Sequence, residues 1–155
     1  MFQTILVPVD FSVGTATQVR VARDLARSSS GSLILLHVRE PVLDPDVFAP
    51  LPDDEGSDFH LMLEAMKLDL TRDGFRVESR CVKGTPAHEI LNMASEEEAD
   101  LIVMGTHGRT GLKHVLMGSV AERVVRGASC PVLSLKLAER PEHSLGKRSS
   151  SSESK

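Results

Sequence analysis

The sequence predicts an α/β fold, a three-layer sandwich around a five-stranded parallel sheet, and three observations predict it. The runs "TILVPV", "LILLHV" and "ADLIVMG" are apolar on both faces, as strands covered from both sides must be. Between such runs lie segments whose apolar residues recur at helical spacing, the alternation that parallel crossover units produce. A third strand, "FRVESRCV", is apolar on one face only, which marks the edge of a sheet.

The first strand is expected over Thr4 to Val9, followed by a helix with Val19, Ala22, Leu25 and Ala26 inward and Gly31 as its stop. The second strand runs from Leu33 to Val38. A second helix carries the stripe Phe59, Met62, Leu63, Met66 and Leu70, with Ser57 as N-cap and Asp73-Gly74 as exit. After the edge strand, Phe75 to Val82, Thr85 caps a third helix that has Pro86 at its first position. The fourth strand spans Ala99 to Gly105. Ser119 and Glu122 match a capping box for a fourth helix with Val120, Val124 and Ala128 inward. The fifth strand is Pro131 to Lys136, and each crossover should be right-handed.

Composition narrows the function. The 155 residues fit one domain, residues 1–137, followed by a polar serine-rich tail over 138–155. With no Trp, no Tyr and five Phe, there is little to stack nucleic-acid bases. A net charge of −4 offers no basic field for a polyanion either. The N-terminus lacks a signal-peptide pattern and no apolar run reaches membrane-spanning length, so a cytoplasmic protein is expected. Cys81 and Cys130 stand at no metal-type spacing and read as two buried or half-buried thiols. "REPVLDPDVFAPLPDDEGS", Arg39 to Ser57, reads as a long connection with four prolines.

The segment "GTHGRTGLKHVLMGS", Gly105 to Ser119, follows the most apolar strand at a carboxyl end, where open α/β sheets bind ligands. Four glycines make it costly to order, and they also let backbone N–H groups approach a ligand closely. Ser119, at a helix start, adds unpaired donors and the positive end of a helix dipole. A phosphate chain accounts for the glycines and for their position; a flexible surface connection is the alternative. Two familiar phosphate motifs fail. Gly111 is followed by Leu112 rather than the lysine of a P-loop, and "PVDFSVG" after the first strand is no dinucleotide fingerprint.

The whole pattern resembles the nucleotide-binding branch of the universal stress protein family. That branch carries G-2x-G-9x-G-[S/T], matched here by Gly105, Gly108, Gly118 and Ser119. "ILVPVDFS", "LLHV", "KGTPAHEI" and "GSVAERVVRGASCPVLSL" extend the resemblance over roughly Met1 to Leu137. It implies strand order 3-2-1-4-5, a Rossmann-like sheet of the adenine nucleotide alpha-hydrolase kind, and ATP, ADP or AMP as ligand. In that likeness Asp10, with Pro8 and Val9 beside it, contacts the adenosine portion. From the residues alone Asp10 also reads as a turn or helix cap, and Val38 and Met104 as core. The resemblance makes Val38 and Met104 border the adenine and lays Gly105 against the ribose. Gly108, Arg109, Gly118, Ser119 and Val120 then surround the phosphates. From the residues alone, Arg109, Lys113 and His114 read either as charges that offset a triphosphate or as solvated loop charges, and a Mg²⁺ ion would ride on the phosphates. His107 and His114 lack a third metal ligand at a recognisable spacing.

Hydrolysis needs a group to position water and charges that favour the transition state, and no convincing set is visible. The expected role is therefore a nucleotide-dependent switch in the stress response, with an unidentified protein partner and slow hydrolysis at most. A slow ATPase or phosphotransferase, and a ligand-free structural dimer, remain as alternatives. Family resemblance also implies a homodimer through the last strand, since "PVLSLK" would otherwise be an exposed apolar edge.

Overall fold

The apolar runs become the centre of one sheet. The structure, a computed structural model, describes residues 1–41, 58–106 and 117–136. Among the described residues nine elements alternate. They are β1 (Thr4–Pro8), α1 (Thr15–Ser29), β2 (Ser32–Arg39), α2 (Asp58–Arg72), β3 (Arg76–Lys83), α3 (Pro86–Glu96), β4 (Leu101–Gly105), α4 (Ser119–Gly127) and β5 (Val132–Leu135). All strand pairs are parallel and their order is β3-β2-β1-β4-β5. The one-faced strand does lie at an edge, and β5 lies at the other.

Two apolar clusters sandwich the sheet, because side chains alternate between its faces. Ile5, Val7, Leu33, Leu35, Leu101 and Val103 point to the face covered by Ala22 and Ala26 of α1 and Leu63 and Leu70 of α2. Leu6, Ile34, Leu36, Ile102 and Met104 point the other way, against Ile90 and Met93 of α3 and Ala121 and Val124 of α4. The core is aliphatic, as the scarcity of aromatics requires.

Several element ends differ from expectation. Gly31 does not stop α1 by left-handed geometry; Ser30 takes that conformation, at φ 53°, and its N–H bonds to Ala26 O. Gly31 is needed for closeness instead, since a Cβ there would stand 2.5 Å from the Phe2 carbonyl oxygen. On α2, Leu63 and Leu70 are buried, but Met62 is 43% exposed and lies outside the buried stripe. The expected capping box at Ser119 is not formed. Gly118 is the N-cap of α4, with no side-chain capping bond, so Ser119 is the first helical residue. Both cysteines are free and half-buried, and burial pushes the Cys130 thiol up.

Candidate functional site

β1 and β4 part from each other at their carboxyl ends. The β1–β2 ladder continues to Pro8–Leu36 and the β4–β5 ladder to Gly105–Leu135. The β1–β4 ladder covers only Ile5–Leu101 and Leu6–Ile102. This is the point where strand order reverses, and in such sheets the opening above it is the ligand crevice. Pro8, Asp10, Met104 and Gly105 stand at or just beyond the parting ends.

The turn after β1 is built around Asp10. Its Oδ1 accepts a hydrogen bond from the Ser12 N–H at 3.0 Å and from the Thr15 hydroxyl at 3.3 Å. Such a turn leads the chain into α1. Asp10 thus does perform the cap-like role that its sequence position allows, with one oxygen. Oδ2 accepts no hydrogen bond among the described residues. Between Asp10 and Ser12, Phe11 holds φ 57° and lays its ring 5.0 Å from that of His37 and 5.6 Å from that of Phe59.

Val9 is differently placed from its companions. It is 3% exposed within the α1–α2 cluster, its N–H donates to Leu36 O at 2.7 Å, and its carbonyl accepts from His37 Nδ1 at 2.8 Å. A carbonyl can only accept, so the proton lies on Nδ1. Val38, Met104 and Val120 all belong to the opposite cluster, and Met117 joins them there. Residues that are far apart in sequence therefore share one wall, on the α3–α4 side. Met117 was not anticipated; its place beside Gly118 in the glycine segment was the available signal.

The two ends of the glycine segment meet. Gly118 N–H donates to the Thr106 carbonyl at 2.6 Å. Thr106, 6% exposed, in turn donates from its N–H at 2.9 Å and from its hydroxyl at 3.3 Å to Leu135 O of β5. Sequence reasoning missed Thr106, because a threonine in a glycine-rich loop reads as solvated. Gly118 opens α4, and the N–H groups of Ser119, Val120 and Ala121 donate to no partner among the described residues. Unspent donors at a helix N-terminus form a site suited to an anion. Gly108, Arg109, His107, Lys113 and His114, like Ser57 and the serine tail, lie outside the described residues.

Comparison with known proteins agrees with the fold. A model described as the universal stress protein family matches residues 1–136. Universal stress protein MJ0531 of Methanocaldococcus jannaschii is 34% identical over 147 residues, covering 88% of this chain and 83% of the relative. Universal stress protein YxiE of Bacillus subtilis is 34% identical over 145 residues, covering 86% and 98%. The solved structure of MJ0577, also from M. jannaschii, superposes with a TM-score of 0.71 at 30% identity, covering 90% of this chain and 99% of that one. A universal stress protein solved in complex with cAMP superposes with a TM-score of 0.68 at 27% identity, covering 88% and 99%.

Proposed function

The chain belongs to the universal stress protein family, and we propose that it binds an adenine nucleotide, ATP, ADP or AMP, as a cytoplasmic switch in the stress response. The observation that carries this reading is the set of unspent polar groups around the parted strands. Asp10 Oδ2 is an acceptor for a ribose hydroxyl or an adenine amino group. The amides of Ser119, Val120 and Ala121, with the Ser119 hydroxyl, are donors for phosphate oxygens. Val38, Met104 and Val120 supply an aliphatic wall for the base, and Gly105 a close approach to the sugar. Pro8 and Val9 act through the backbone they set, and Gly108 and Arg109 complete the phosphate side. The complex of a relative with cAMP supports the ligand class.

No group of three or more His, Cys, Asp or Glu side chains among the described residues could hold a metal by itself. A Mg²⁺ ion in this reading is carried by the phosphates. No helix among the described residues is long and apolar enough to cross a membrane. Self-association through β5 belongs to the same proposal. Val132 to Leu135 are all half-buried, and among the described residues their outer ladder has no partner, an arrangement that invites a second strand.

The test is calorimetric titration of nucleotide-stripped protein with ATP, ADP, AMP and GTP. Saturable binding of the adenine series, lost on replacing Gly108 and Gly118 with valine in a still-folded protein, is the expected result. Unchanged affinity in that double variant would refute the backbone-amide grip.

A further inference from the structure

The nucleotide reading above leaves unexplained what joins β1 to β4 beyond the point where their ladder stops. Neither strand end can satisfy the other once the ladder stops at Leu6–Ile102. Two carbonyls, Pro8 O and Val103 O, lie beyond that point. Both accept from one group, the Nε2 of Gln18 on α1, at 2.5 and 2.9 Å. Gln18 is 3% exposed, and a carboxamide so deeply buried is retained only where its hydrogen bonds are made. Its orientation is fixed by chemistry, because only the NH₂ end can face two carbonyls.

Gln18 lies one helical turn from Thr15, whose hydroxyl holds Asp10 Oδ1, so both face the strand ends from the same side of α1. One helix face therefore grips the carboxylate, the end of β1 and the end of β4 together. Resting on the nucleotide reading, we propose that Gln18 is a positioning residue that sets the width of the nucleotide crevice. It bridges the two strands in place of the ladder that they lack. It reaches the adenosine part of the ligand only through Asp10 and Gly105, each two residues beyond a bridged carbonyl.

The test compares Gln18→Met, which keeps length and removes both donors, with Leu70→Ala, a core variant on α2 away from the crevice. If Gln18→Met does not fold, Gln18→Asn, which keeps the donors and shortens their reach, replaces it. Each is titrated with adenosine and with ATP at a temperature where all are folded. Both ligands should weaken by roughly the same factor, about tenfold, in the Gln18 variant and not in Leu70→Ala. Affinities within about twofold of wild type would overturn the proposal, since one lost hydrogen bond already costs more. A second arm needs no ligand. Amide exchange at Val9 and Thr106, just past the bridged carbonyls, should accelerate in Gln18→Met relative to Ser32 and Asp100 at the other edge. Unaltered exchange there overturns the Gln18 role even if the native chain binds no nucleotide, whereas native chain that fails to bind, with exchange accelerated, sinks the nucleotide reading alone.

Discussion

Asp10 divides its work between two oxygens, and a substitution can separate them. In Asp10→Asn the Oδ1 acceptor can survive, so the turn with Ser12 and Thr15 is kept. The charge and the free acceptor are lost, and adenosine affinity should fall by the worth of a charged hydrogen bond, about 1.5–3 kcal/mol, with the melting temperature nearly unchanged. Asp10→Ala should lower both. Calorimetry beside thermal melting distinguishes the two patterns. At the opposite edge of the sheet Asp100 has a purely structural task. The N–H groups of Thr4 and Gln3 donate to its Oδ2 at 2.9 and 2.7 Å and hold its carboxyl below the usual range. A lowered folded pKa means stability that is present above the unfolded value and lost as pH falls through the folded one. Native protein should therefore lose stability in acid more steeply than Asp100→Asn, read from melting curves taken down through the carboxylate range. The sequence marks Asp10 by its place after an apolar strand. It marks neither Gln18 nor Thr106, whose partners Val103 and Leu135 lie 85 and 29 positions away.

Strands were legible because burial on both faces leaves little choice of residue, and the runs in β1, β2 and β4 show it. Helix limits were less so. The start of α4 reads as a Ser119–Glu122 capping box, a local signal, but Gly118 is held by the Thr106 carbonyl and its own carbonyl accepts from Glu122 N–H at 2.9 Å. A tertiary bond at the mouth of the loop sets the helix one residue earlier. On α2 the apolar stripe expected from spacing is one residue wider than the buried one. Leu63 is 1% exposed and Met62 is 43% exposed, so position rather than residue type decides. Leu63→Ala should cost about 2–5 kcal/mol in urea unfolding. Met62→Ala should change stability by no more than about 0.5 kcal/mol. Similar costs would mean that α2 packs through a different face.

Across the molecule, the edge proposed to bind nucleotide and the edge where Asp100 stabilises the chain are opposite ends of the same strands. β1 ends at the Asp10 turn and begins where Thr4 meets Asp100, so ligand-side changes need not weaken the amino-terminal seam. Nucleotide at about a hundred times its dissociation constant should stabilise the protein by about 2.7 kcal/mol and raise its melting temperature by roughly 5–10 °C. No shift in a nucleotide-stripped sample would leave the switch without an input. On the switch reading purified protein should hydrolyse ATP far more slowly than about 1 s⁻¹, and turnover near that rate in a single-turnover assay would favour the enzyme alternative.

Leu135 O receives two bonds from Thr106, and Thr106 O receives one from Gly118. The outermost strand and the neck of the glycine segment are thus stitched into a single unit. Any coupling that this stitch carries between a paired β5 and a bound nucleotide must be reciprocal. In a homodimer paired through β5 with one site per protomer, nucleotide should shift the dimerisation constant by the square of the factor by which pairing shifts affinity at each site, a relation that sedimentation beside calorimetry checks.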